Sequence, residues 1–218
     1  MTMQAKPRTP EETYGPALEK ALRELRHLAP RQAAAHAAVT YQADQAEAPE
    51  AGGHFQIPFF GQLYDVAWPG GQVARTADGQ AADVPTRILL LHYLLQADGT
   101  PLADRWIAFR NLPGGLGYDA AFQGRTARRL IPVFGQDGAA FEAAARALGG
   151  EPLTFGDRSF LFRLLPRVWL AVVLYLADDE FPANVNVLFD AAVSHYLPTE
   201  DLAVLGGMLA GRLIRAAR

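Results

Sequence analysis

Cysteine is absent from the 218 residues. That absence removes disulfides, thiolate zinc sites, cysteine-ligated iron–sulfur clusters and cysteine nucleophiles together. Lysine is nearly absent too, with only Lys6 and Lys20, and the remaining basic residues are arginines. Serine occurs only at Ser159 and Ser194, and neither stands in a G-x-S-x-G elbow. Ser194 and His195 are neighbours in the chain, so they point apart in a strand and about 100° apart in a helix, which argues against a Ser–His dyad. The longest apolar run, residues 168–177, has half the roughly 20 residues that a spanning helix needs. No basic-then-apolar leader pattern opens the chain. A membrane is therefore not an expected partner, and the expected location is the cytoplasm.

Charge of one sign is also lacking. Twenty basic residues stand against 23 acidic ones, a formal net charge of -3, so no overall field favours nucleic acid. What is present is apolar: half of the residues are hydrophobic and 10% are aromatic, enough to build a core without a structural metal. The length fits one large domain, or one with a small appendage.

Along the chain, Thr9-Pro10-Glu11-Glu12 has the form of a capping box with proline at the first helical position. Pro16 is expected to break or restart that helix, after which Leu18, Leu22, Leu25 and Ala29 form one stripe. Pro30 should end it, and the alanine-rich residues 31–39 suit a second short helix. Residues 41–53 read as a linker, dividing an N-terminal helical arm at 1–53 from a main domain at 54–218. Beyond it the period changes to two. Phe55, Ile57 and Phe59 alternate with Gln56 and Pro58, and a turn at Phe60-Gly61 leads into residues 63–68, the pattern of a hairpin. Pro58 should lie at an edge or a bulge because it has no N–H for a ladder.

A short strand at 72–75, a buried helix at 83–96, a strand at 105–110, helices at 118–131 and 138–148, three successive strands at 159–164, 168–176 and 184–190, and a final helix capped by Thr199 complete the reading. The strand at 168–176 is apolar on both faces and should be interior. Strands grouped as hairpins predict an α+β fold: a mainly antiparallel sheet packed against several helices, with an N-terminal helical arm.

The stretch FPANVNVLFDAAVSHYLPTEDLAVL at 181–205, with Leu165-Pro166-Arg167, the helix at 88–95 and the loop at 110–117, resembles the uncharacterised bacterial family known as domain of unknown function 3786. The resemblance extends over most of the chain after about residue 54, and its motifs are not catalytic signatures. Some relatives are associated with iron–sulfur proteins of anaerobes and carry a cysteine-rich region, which this chain lacks.

Four sets of residues are candidates for a site. Arg110, Asn111, Gly114, Gly115, Gly117 and Tyr118 form a glycine-rich strand-to-helix loop that could aim backbone N–H groups at an anion, with Arg125, Arg128 and Arg129 nearby. The loop matches neither phosphate-binding glycine pattern, and a Pro-Gly turn feeding a helix is its ordinary reading. Asp190 and His195, with Glu200 or Asp201, would supply an acid–base pair or metal ligands, and Asp190 would otherwise be an N-cap or a partner of Arg167. Asp178, Asp179 and Glu180 lie about 20 Å along the strand from Asp190 and read as a solvated turn. His92, within the most apolar helix, would ligate a tetrapyrrole iron or else be a core histidine bonded to a carbonyl, and His54 has polar neighbours.

No named cofactor follows from any of these. The leading expectation is a non-enzymatic accessory domain that binds a small ligand or a protein through the sheet face and the 111–117 loop, with Phe59, Phe60, Tyr64, Trp68, Trp106, Tyr118 and Trp169 available to line a pocket. An acid–base or metal-assisted enzyme at Asp190 and His195 is the second reading. Self-association into a homo-oligomer through the N-terminal arm is the third.

Overall fold

The computed structural model describes residues 10–48 and 51–218. Its contacts divide the chain into two compact units, one holding residues up to Ile57 together with Leu63–Ala97, the other Pro58–Gln62 together with Asp98–Arg218.

In the first unit, helix α1 spans Pro10–Leu25 and runs through Pro16 without a break, contrary to expectation. The Thr9 capping box lies outside the described residues. Ala21 and Leu25 are buried while Leu18 and Leu22 are half-covered, and Ala29 falls beyond the helix and is exposed. Pro30 opens helix α2, Pro30–Ala37, where its missing N–H has no partner to lose. The small residues Ala33, Ala34 and Ala37 are buried on its inner side. Helix α3, Val84–Gln96, begins where the Asp83 side chain accepts the Thr86 N–H at 2.9 Å. Both α1 and α2 pack on α3. The buried Tyr93 hydroxyl donates to Ala37 O at 2.6 Å, and the Trp68 indole to Leu25 O at 2.8 Å.

A four-stranded sheet completes this unit: β1 Thr40–Ala43, β2 Gly53–Phe59, β3 Gln62–Trp68 and β4 Val73–Arg75, in that order. Strand β1 occupies the start of the presumed linker. It pairs Thr40 with Gln56 and Ala43 with Gly53, which makes β2 an interior strand and not the expected edge; Pro58 lies past the last residue paired with β1, where that side of the ladder needs no donor. The β2–β3 turn has φ of 49° at Phe60 and 73° at Gly61, the left-handed pair that a two-residue hairpin needs.

The second unit carries a separate five-stranded antiparallel sheet, ordered β5 (Trp106–Ala108), β9 (Asn184–Asp190), β8 (Val168–Tyr175), β7 (Arg158–Leu165) and β6 (Glu151–Pro152). The apolar β8 is the central strand, as its sequence predicts. The chain is thus α+β with antiparallel strands, distributed over two sheets. Helices α4 (Asp119–Arg125), α5 (Ala127–Phe134), α6 (Gly138–Ala147) and α7 (Thr199–Ala216) belong to this unit.

The single helix expected at 118–131 is broken at Thr126, whose φ and ψ are -121° and -92°. The buried Thr126 hydroxyl donates to Phe122 O at 2.8 Å, a local bond that competes with the helical ladder. Phe122 stacks on Phe109 with centroids 4.1 Å apart, and Phe189 closes the cluster. Thr199 is the first residue of α7 and not its cap, because its hydroxyl donates to Pro113 O at 2.7 Å and Pro198 takes the cap position. Leu202, Leu205, Leu209 and Leu213 of α7 are all buried.

Candidate functional site

The glycine-rich loop follows β5 through a short 3-10 turn at Phe109–Asn111 and a second at Leu116–Tyr118. Three of its N–H groups bond locally: Leu112 N–H to Phe109 O, Gly115 N–H to Leu112 O and Tyr118 N–H to Gly115 O, at 2.9–3.1 Å. These bonds close the two turns. Gly115 is buried, and a Cβ there would lie 2.1 Å from Phe109 O. Arg110, Asn111, Gly114 and Gly117 are exposed. Leu116 is 75% exposed at the tip, beside Tyr118, whose ring lies 5.3 Å from the Arg125 guanidinium. Arg128 and Arg129 are exposed on α5.

Asp190, at the end of β9, is buried and accepts three backbone N–H groups, from Ala103 at 3.0 Å and from Asp104 and Ala192 at 2.9 Å. These bonds tie the segment after Ala97 to the end of the strand. His195 has a different partner. Its Nδ1 lies 2.7 Å from Asp98 Oδ2 and 3.2 Å from Thr100 Oγ1, with about half of the imidazole exposed. The Thr100 hydroxyl, His195 and the Thr100 N–H together hold the Asp98 carboxyl at about 2, below the ordinary carboxylate value. The neighbouring Tyr196 hydroxyl donates to Thr100 O, and burial raises its own pKa. Glu200 is exposed and Asp201 buried in the first turn of α7. Nothing local in sequence links Asp98, in an Asp-Gly pair, to a histidine 97 residues further on.

In the first unit, His92 is half-buried on α3 and has an interaction partner within the protein. His54 on β2 sits between two carboxylates, Nδ1 2.6 Å from Asp65 and Nε2 3.6 Å from Asp44, in a shallow depression that Gln42 and Gln56 complete. Among the described residues, no group of three or more His, Cys, Asp or Glu side chains is placed to hold a metal ion. In the second unit, Asp178 Oδ1 accepts the Glu180 and Phe181 N–H groups at 2.9 and 2.7 Å, which is the chemistry of a solvated turn.

The second unit also contains a groove of about 580 Å³ that no local motif announces. It is lined by Phe60, Gly61 and Gln62 at the hairpin tip, by Ala147, Leu148 and Gly149 at the end of α6, by Phe162, Arg163 and Leu164 of β7, by Glu151 of β6, and by Leu209 and Arg212 of α7. Phe162, Leu164 and Leu209 are almost wholly buried and make an apolar floor. The Phe60 N–H donates to Leu164 O at 3.0 Å and fixes the tip beside β7. Around the floor stand charged groups held by their neighbours. The Arg212 guanidinium lies 4.2 Å from the Phe60 ring centroid, and Arg163 lies 4.8 Å from that of Trp169 while bonding Glu151 at 2.9 Å.

Fold and site together define an α+β chain of two antiparallel-sheet units whose second unit bears an arginine-rimmed, apolar-floored groove. The chain belongs to the family described as Domain of unknown function (DUF3786), whose profile matches residues 29–212. No curated protein and no solved structure matches it. Among the described residues, no helix is long and apolar enough to cross a membrane.

Proposed function

We propose that this chain is a non-enzymatic accessory domain of the cytoplasm that binds a small organic ligand in the groove of its second unit. The observation that carries this reading is the groove's construction. Its volume of about 580 Å³ falls within the roughly 300–1,000 Å³ of ligand pockets, and it joins an apolar floor to a few oriented polar groups. The 111–117 loop is assigned to protein contact, since it turns Leu116, 75% exposed, and the neighbouring Tyr118 outward.

The test is a ligand screen by thermal shift on the full chain, repeated with Ala147→Trp. Ala147 is exposed at the groove wall, so the indole fills the groove without entering the core. Hits that survive this substitution unchanged would remove the groove as the site.

A second reading rests on His195. With Nδ1 bonded to Asp98, its Nε2 is left to take a proton, the arrangement of a general base. Hydrolysis of any ester in a generic panel that disappears in His195→Gln would favour it, and equal rates in the two proteins would reject it.

A further inference from the structure

The two most exposed large apolar side chains among the described residues are Leu116, at 75%, and Phe181, at 67%. Both belong to the second unit, and each stands beside charges of one sign. Leu116 precedes Tyr118, whose ring is 5.3 Å from the Arg125 guanidinium. Arg125 lies against α7, where a Cβ on Gly207 would be 3.7 Å from its own Cβ. One turn further along α7, about 6 Å by helical rise, a Cβ on Gly211 would lie 3.6 Å from Arg215 Nη1 and 3.9 Å from Arg129 Nη2. Two guanidinium groups therefore meet over one glycine. Among the described residues, Arg125, Arg129 and Arg215 make no ion pair. Of the acids nearby, Asp119 accepts the Gln123 amide at 3.3 Å, and Glu200 stands seven residues before Gly207, about 10 Å back along α7. An anionic partner would relieve the repulsion within this row.

Phe181 lies in the β8–β9 turn behind Asp178, Asp179 and Glu180, all exposed. Asp178 Oδ1 is used by the turn's own N–H groups, while the Asp179 and Glu180 carboxylates make no ion pair among the described residues. Tyr175, at the end of β8, is 40% exposed, as is Phe155 in the turn before β7. A Cβ on Gly156 would lie 3.2 Å from Tyr175 Cε1, so the two turns adjoin. The neighbouring Arg158 is matched, pairing with Glu142 at 3.5 Å.

We infer that a second copy of this chain covers both surfaces, Leu116 and the arginine row of one copy meeting Phe181, Asp179 and Glu180 of the next. The charges are opposite, the apolar residues are paired one to one, and both surfaces stay exposed within a single chain. Each copy carries one surface of each kind, so the contact is made twice about a two-fold axis or runs head to tail. An exposed leucine and a net charge of -3 favour a protein over a nucleic acid on the arginine row. This partner rests on the assignment of the 111–117 loop to protein contact and is independent of the groove.

The experiment is sedimentation velocity of the full chain across a concentration series up to about 0.5 mM, in low salt and in about 0.5 M salt. Association that rises with concentration and weakens at least about tenfold in high salt is expected. Two charge reversals follow: Arg125→Glu with Arg129→Glu, and Asp179→Arg with Glu180→Arg. Each reversed protein alone should be monomeric, because both of its surfaces then carry the same sign. An equal mixture of the two should associate again, a recovery that misfolded variants would not give. Leu116→Ser should weaken association about tenfold. A chain that is monomeric throughout would overturn the second copy as partner and leave the loop to another protein. Association unchanged by either reversal, or reversed proteins that stay monomeric when mixed, would overturn the pairing of these two surfaces. Association that needs the charges but ignores Leu116→Ser would remove the loop from the contact, and with it the reading on which this partner rests.

Discussion

Asp190 shows what one carboxylate does when its oxygens are turned on the backbone. Three N–H groups from two segments converge on it, and each would be left without an acceptor if the side chain were removed. Asp190→Ala should therefore destabilise the fold by about 3 kcal/mol, and Asp190→Asn, which keeps one carbonyl oxygen, by about half of that. Urea unfolding gives both values, and faster amide exchange at Ala103 and Asp104 would localise the loss. Asp98 makes a different prediction, about pH. Its ordinary value of 3.8 is lowered to about 2 in the fold, so its contribution is fully present above about pH 4 and is lost as pH falls through about 2. The carboxylate is half exposed, so the effect is screened and small. Asp98→Asn should be less stable than the unaltered chain at pH 6, with the gap closing between pH 4 and pH 2. A gap of constant size across that window would show that the Thr100 and His195 bonds do not set the proton affinity of Asp98. At this scale the sequence pointed to Asp190 and His195 but assigned them to each other, because chain proximity in the 190–195 segment was the one signal available. The partners that matter are Asp98, Ala103 and Asp104, and only the fold brings those in.

At the scale of elements, what the sequence disclosed depended on whether the controlling interaction was local. Helix α3 and the strand triplet β7–β8–β9 were readable because apolar period, length and flanking turns agree there. Strand β1 was not, since Thr40 and Tyr41 favour a strand but the four residues run straight into the polar stretch that follows, and the ladder with Gly53–Gln56 fixes their conformation. The break between α4 and α5 was missed because it is made by Thr126 turning its hydroxyl back on Phe122 O, a choice that a helical period does not reveal. The loop after β5 permits a paired test. A Cβ on Gly115 would lie 2.1 Å from a carbonyl oxygen, a backbone atom that cannot move aside, whereas one on Gly117 meets nothing within 4 Å. Gly115→Ala should cost about 2–3 kcal/mol in chemical denaturation and Gly117→Ala less than about 0.5 kcal/mol. Equal effects would mean that the two 3-10 turns do not pack as described.

At the scale of the molecule, the groove explains why no motif marked it. Its lining comes from residues 60–62, 147–151, 162–164 and 209–212, segments that carry no common pattern and meet only after folding. Two aromatics that the composition singled out, Phe60 and Trp169, prove to be the rings on which Arg212 and Arg163 rest. The N-terminal helices raise the remaining question at this scale. If they served to dock on a second copy, their deletion would leave a folded monomer. The first unit argues otherwise from its own interior. Leu25 of α1 and Ala33, Ala34 and Ala37 of α2 are buried, α1 and α2 lie on α3, and the Trp68 indole and Tyr93 hydroxyl donate to carbonyls of residues 25 and 37. Removing residues 1–39 would bare the apolar side of α3 and take away the carbonyls to which Trp68 and Tyr93 donate. Each lost hydrogen bond costs about 0.5–1.5 kcal/mol and the bared apolar side adds to that, against about 5–15 kcal/mol for the whole stability of an ordinary domain. The truncated chain should therefore lose amide-exchange protection throughout β1–β4 and become sensitive to protease in residues 63–97, while Asp98–Arg218 is the part to examine for retained protection. A truncated chain that is monomeric and fully protected across residues 53–97 would instead return the helices to a role in assembly.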